Sequence, residues 1–193
     1  MKQPVYHIAI FASGKGSNAE KIIDYFKDHP KIKVCCVLSN KFDAGVLDMA
    51  VSKNVFIKPF NKQELENGEI ERFLLGQKVD YIVLAGFLLK IPQGLIKSFP
   101  DKIINIHPSL LPRYGGKGMY GINVHKAVVE NKEKESGISI HLVNEEYDKG
   151  RILLQEKCAV SDNDTAEELA KKIQVLEHKF FAPCIEQYIL QNG

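Results

Sequence analysis

Residues 103–112 read Ile103-Ile104-Asn105-Ile106-His107-Pro108-Ser109-Leu110-Leu111-Pro112, and the rest of the chain is organised around them. The three isoleucines make a short buried strand, and Pro108 stops it because proline has no N–H to give a ladder. Side chains alternate along a strand, so Asn105 and His107 project to one side at its C-terminal end. Ligands of open α/β sheets bind outside the carboxyl ends of the strands. An amide donor and an imidazole held side by side at that edge are therefore candidate catalytic groups. The plain alternative is a core histidine beside a turn-forming asparagine, and the flanking sequence decides between the two.

Upstream, apolar runs alternate with amphipathic ones. Tyr6–Ala12 is a β-rich run, and Ser13-Gly14-Lys15-Gly16-Ser17-Asn18 separates it from a helical stretch at Ala19–Phe26. Strand, glycine loop and helix together present free N–H groups and a positive helix end to an anion. Gly16 permits close backbone approach, while Ser17 and Asn18 can cap the helix and donate to an oxyanion. The loop fits neither the Gly-x-Gly-x-x-Gly dinucleotide pattern nor the longer Walker loop. Strands are expected at Val34–Leu38, Val55–Pro59 and Asp80–Ala85. Between them, helices are expected at Ala44–Lys53 and Lys62–Gln77, the second weakened by Gly68, and another starts at Pro92 and runs to Phe99. That alternation predicts an α/β fold: one domain, a mostly parallel twisted sheet with helices on both faces, Rossmann-like in build.

Downstream of Pro112 the texture changes. Arg113–Tyr120 and Gly121 carry Gly115, Gly116, Gly118 and Gly121, and a loop of that length inside a compact domain is usually functional. A helix at Val124–Glu130 follows, then strands at Gly137–Val143 and Arg151–Val160, expected as an antiparallel C-terminal extension. Ser161–Glu168 supplies caps and early acids for a long closing helix. The domain expectation is a single unit over 1–193, with a phosphate-binding half over about 1–100 and a catalytic half over about 101–193.

The totals set limits on function. Lys+Arg of 26 against Asp+Glu of 24 leaves a net charge of +2, which gives no reason to expect nucleic acid or an acidic membrane as partner. Met1–Tyr6 is polar and no run approaches the ~20 apolar residues of a membrane span, so neither a signal peptide nor a membrane partner is expected. Cys35, Cys36, Cys158 and Cys184 lack metal-type spacing and read as free thiols of a reducing, cytoplasmic protein. No metal is expected.

An asparagine beside a histidine suits acyl transfer. The amide donates to the oxygen that becomes negative, and the histidine moves a proton between attacking amine and leaving nitrogen. Asp148, in the loop Asn144–Gly150, is the acid chosen to pair with His107, where its charge would favour imidazolium; Glu145 and Glu146 serve equally on sequence grounds. No Gly-x-Ser-x-Gly elbow supports a covalent route.

With those residues in view, the chain resembles the phosphoribosylglycinamide formyltransferases, folate-dependent enzymes of purine biosynthesis, from Ile8 to about Ile189. The carriers are Ser13–Asn18, Leu84-Ala85-Gly86-Phe87, Asn105–Pro112 and Tyr147-Asp148-Lys149-Gly150. The resemblance implies formyl transfer from 10-formyltetrahydrofolate to 5-phosphoribosylglycinamide, both small molecules. It implies that Gly16, Ser17, Asn18 and Ala19 hold the ribose phosphate and that Glu177 meets the amine. Leu88, Leu89, Lys90 and Ile91 would contact the pterin through backbone, with Lys62 as a basic contact to the co-substrate. Asn105 would touch the formyl oxygen, His107 would carry the proton, and Asp148 would raise its pKa. Glu177 also fits on its own physics, since Leu169, Ile173 and Glu177 fall four apart on one stripe of the last helix. A formyltetrahydrofolate hydrolase using the same three residues is the runner-up, and a non-catalytic folate- or nucleotide-binding module is the alternative from another class. Oligomeric state is left open by the sequence.

Overall fold

A computed structural model describes residues 5–193; of the polar run Met1–Tyr6, residues 1–4 lie outside the described part. Its centre is a seven-stranded sheet in the order β3-β2-β1-β4-β5-β6-β7. The strands are β1 (Tyr6–Phe11), β2 (Ile32–Ser39), β3 (Phe56–Pro59), β4 (Tyr81–Leu84), β5 (Ile103–His107), β6 (Glu135–Leu142) and β7 (Ile152–Ala159). The first five are parallel, and β6 and β7 run antiparallel to their neighbours. Order reverses between β1 and β4, because β2 and β3 are added on one side and β5 on the other. Such a reversal opens a crevice at the strands' carboxyl ends.

Both faces of the sheet are covered, as the run of apolar strands requires. On one side lie α1 (Ser17–Phe26), α2 (Gly45–Ser52), α6 (Ile122–Glu130) and α7 (Ala166–Asn192), packed through residues such as Ile22, Leu47, Val128 and Ile185. On the other lie α3 (Lys62–Glu66), α4 (Glu69–Gly76) and α5 (Gln93–Ser98), packed through Leu65, Leu74 and Leu95.

Two local expectations need correction. The single helix over Lys62–Gln77 is two, because Gly68 takes φ 80 and caps α4 as a left-handed residue. Asn61 and Glu64 close a reciprocal capping box on the short α3. Ser17 and Asn18 do not cap α1: Gly16 is the cap residue at φ 84, and both lie inside the first turn. Gly16 brings no side chain, so the first-turn N–H groups of α1 receive no capping acceptor from it. In β6, the polar residues Ser139 and His141 are buried like the apolar ones. Ser139 donates to the Ser109 carbonyl at 2.7 Å and accepts from Leu111 N–H at 2.9 Å, which straps residues 109–111 over the strand.

Ser13 ties the carboxyl ends of three strands together. Its hydroxyl donates to Asn40 Oδ1 at 2.6 Å, accepts from Leu88 N–H at 3.1 Å, and its own N–H reaches the Gly86 carbonyl at 3.1 Å. The loops after β1, β2 and β4 are thereby held in register with each other. Buried hydrogen bonds of this kind are costly to lose.

Candidate active site

The crevice at the switch of strand order is a cavity of about 530 Å³. Its floor is the end of β5 with Asn105, Ile106 and His107; one wall is Gly86–Ile91 after β4. Opposite stand Asn18 of α1 and Ile173, Gln174 and Glu177 of α7, and the glycine loop Gly116–Gly121 closes the remaining side with Asp148. Asn105 and His107 therefore share one cavity, as the strand alternation requires.

His107 is buried, and its Nε2–H donates to the Tyr114 carbonyl at 2.8 Å. That bond fixes the tautomer: Nδ1 keeps its lone pair and lies 3.7 Å from Asp148 Oδ2. Asp148 does favour the imidazolium, as expected, but it does not lift the pKa to neutral in the protein without ligand. Burial lowers the His107 pKa more than the Asp148 charge and the Tyr114 carbonyl raise it, and His141 pushes it down further. His107 is thus a neutral base at rest. Burial pushes the Asp148 pKa upward, but the contact with His141, the Gly116 N–H at 2.8 Å and the attraction to His107 once that ring is protonated outweigh it and leave the carboxyl below its usual value.

Asn105 lies across the ladder from His141. His141 Nδ1–H donates to the Leu142 carbonyl at 2.8 Å, so its Nε2 accepts from Asn105 Nδ2 at 3.0 Å. One N–H of Asn105 orients the amide and the other is left for a ligand. Nothing in the sequence pattern had singled out His141 as the orienting partner; the pairing of β5 with β6 makes it so.

The glycine loop does more than close the cavity. Tyr114 holds His107 through its carbonyl, and Gly116 holds Asp148 through its N–H. Both act through backbone, so side-chain reading could not find them. Glu133 braces this loop by accepting from Tyr114 Oη at 2.8 Å and from the Arg113 guanidinium at 2.7 Å. His125 also faces the cavity; burial lowers its pKa, and its Nδ1 has no partner among the described residues.

At the far end, Asn18 Nδ2 donates to Glu177 Oε2 at 2.9 Å, while Asn18 Oδ1 is buried without a partner among the described residues. Burial raises the Glu177 pKa and the Asn18 bond offsets part of the rise. Ser17 Oγ accepts from Gln174 at 3.2 Å and Ala19 is fully buried; of Gly16, Ser17, Asn18 and Ala19, only Asn18 lines the cavity. Leu88, Leu89, Lys90 and Ile91 all line the cavity, with the Lys90 ammonium 5.3 Å from the Tyr147 ring centre. The Leu88 N–H is already given to Ser13. Lys62 is not brought to the cavity; it pairs with Glu66 at 3.4 Å on exposed α3.

Known proteins resemble this chain in sequence and in fold. The family described as formyl transferase matches residues 6–185. A phosphoribosylglycinamide formyltransferase of Arabidopsis thaliana, described as chloroplastic, is 45% identical over 185 residues, or 92% of this chain. This chain spans 63% of that plant relative's length. A phosphoribosylglycinamide formyltransferase of Haemophilus influenzae is 36% identical over 188 residues, covering 94% of this chain and 86% of its own. The crystal structure of glycinamide ribonucleotide transformylase 1 from Geobacillus kaustophilus superposes with a TM-score of 0.87 at 28% identity, covering 95% of this chain and 98% of that one.

Proposed function

The chain belongs to the formyl transferase family, and we propose that it moves a formyl group from 10-formyltetrahydrofolate to the amine of 5-phosphoribosylglycinamide in purine biosynthesis. The observation that carries this reading is one cavity with a base and an amide at one end and, at the other, Asn18 in the first turn of a helix without a side-chain cap beside the half-buried acid Glu177. An acceptor with a phosphate at one end and an amine at the other fits such a cavity lengthwise.

The cavity walls suit a folate. Phe87, Ile91 and Val143 give an apolar slot beside the backbone of 88–91, in a volume that accepts a ligand of drug size. The folate supplies the formyl carbon. The first-turn N–H groups of α1 at Ser17, Asn18 and Ala19, approached closely across Gly16, hold the acceptor's phosphate. Glu177 faces its ribose and amine end. The free N–H of Asn105 donates to the formyl oxygen as charge develops there. His107 Nδ1 takes the proton from the attacking amine and returns it to the leaving nitrogen. Asp148 stabilises the imidazolium formed in between. On this reading the chain is one functional unit, with a phosphate-binding half over about 1–100 and a catalytic half over about 101–193. Its partners are two small molecules, with neither nucleic acid nor membrane involved and no metal needed. Four free thiols suit the cytoplasm.

The deciding measurement is deformylated folate released with and without acceptor. Release that needs 5-phosphoribosylglycinamide, and is very poor with the dephosphorylated acceptor, supports the transferase. Equal release in its absence makes the protein a formyltetrahydrofolate hydrolase instead.

A further inference from the structure

Successive residues of a strand face opposite sides of the sheet, and Cys35 and Cys36 break that rule. In β2, Val34 and Val37 pack on the α1 and α7 side, whereas Leu38 packs on the α4 side. Cys35 and Cys36 both pack on the α4 side. The cause is a bulge: Ile8 pairs with Val34 and Ala9 with Cys36, leaving Cys35 as an extra residue. The two sulfurs are brought to 3.5 Å of each other, and the Cys35 thiol also meets the Ile8 carbonyl at 3.3 Å. Pairing with β3 begins only at Cys36, so Cys35 lies beyond the start of the covering strand and is half-buried, while Cys36 is 1% exposed.

We propose that Cys35 and Cys36 form a dithiol site for a trivalent, thiophilic centre of the arsenical type, independent of the formyl-transfer cavity. A separation of 3.5 Å exceeds the ~2.05 Å of a disulfide by a wide margin. It suits one atom bonded to both sulfurs at a bent angle, as in a pyramidal centre. A linear two-coordinate metal would need the sulfurs on opposite sides. The order of attack follows from the environment. The hydrogen bond from Cys36 lowers the pKa of the more accessible Cys35, while that bond and burial raise Cys36. Cys35 attacks first and Cys36 closes the ring. With phenylarsine oxide two As–S bonds form and both S–H bonds break. The oxide leaves with the two protons as water, and arsenic stays trivalent.

The test uses the full chain and a Cys158→Ser/Cys184→Ser variant that retains only the pair. Phenylarsine oxide is added to folded protein, excess 2-mercaptoethanol removes singly bound arsenic, and intact mass and Tm are measured. The expected result is one arsenic per chain in both proteins, released by dimercaptopropanol, with a raised Tm because the ligand binds the native state. Cys35→Ser and Cys36→Ser should each reduce retention at least tenfold. No retained arsenic, equal retention in either single variant, or a lowered Tm that marks capture of the unfolded chain would each overturn the proposal.

Discussion

His107 Nδ1 stands 3.7 Å from Asp148 Oδ2, near enough for attraction and too far for a hydrogen bond. The opposite ring nitrogen is committed to Tyr114, so a proton arriving at Nδ1 creates a cation that faces the carboxylate. The pair is therefore poised for a charge that appears only during turnover.

Asp148→Asn should lower kcat by stranding that cation, and His107→Ala should cost more, within the ~10²–10⁴-fold usual for acid–base groups. The sign of the pH effect follows from the same geometry. Asp148 is the largest influence holding the His107 pKa up, so its removal should move the low-pH limb of kcat/KM to still lower pH. A limb that stays in place in Asp148→Asn would separate the carboxylate from the histidine.

Asn105→Leu keeps approximate volume and deletes the donor aimed into the cavity. Loss of one such donor costs ~10²–10³ in kcat, whereas folate binding should weaken far less. Equal losses in both, measured by turnover and by equilibrium binding, would make Asn105 a ground-state contact.

Glu133 lies outside the cavity and braces Arg113 and Tyr114, whose carbonyl holds His107. Glu133→Ala should lower kcat about tenfold, the scale of a lost charge-assisted hydrogen bond, with KM little changed. Glu133→Gln keeps an oxygen acceptor and should recover most of the rate. A Gln variant as slow as the Ala variant would point to charge rather than bracing.

Two glycines of the first loop should behave differently. A Cβ on Gly14 meets nothing within 4 Å, so Gly14→Ala should change stability by less than ~0.5 kcal/mol. A Cβ on Gly16 would come within 2.7 Å of Val46 Cβ, at φ 84, so Gly16→Ala should cost ~1–3 kcal/mol. Urea melts of the two variants give the comparison directly.

Stability should also fall on mild acidification. Burial lowers the folded pKa of His107 and His125, so the unfolded chain binds protons that the folded one resists. The contribution is present above the unfolded value of ~6.5 and is lost as pH falls below it. His125→Leu should flatten the slope of unfolding free energy between about pH 7 and 5. An unchanged slope would assign the acid sensitivity elsewhere.

Much of this was legible in the chain itself. Ile103–His107 is a strand with the predicted limits because its apolar run and Pro108 leave no competing pattern. Lys62–Gln77 misled because helical periodicity continues across Gly68, while only backbone geometry reveals the left-handed break. The cap at α1 was misassigned for a related reason: Ser17 and Asn18 have capping chemistry, but Gly16 already occupies the cap. Charge pairing anticipated that Asp148 lies near His107 and raises its pKa, but not the net lowering, since desolvation depends on how the loop from Ser109 to Gly116 folds over the ring. Backbone donors and acceptors such as Gly116 and Tyr114 carry no signature in residue type at all.

The bond between Asn18 and Glu177 joins residues 159 positions apart, because α7 lies back across α1. During synthesis the phosphate end of the cavity therefore stands open after β5 and its loop have emerged, and it waits for the last helix. At ~5–20 residues per second the remaining stretch takes several seconds to leave the ribosome. Until then the apolar surface that α7 packs against, including Tyr81, is exposed, and surface of that kind is aggregation-prone in a nascent chain.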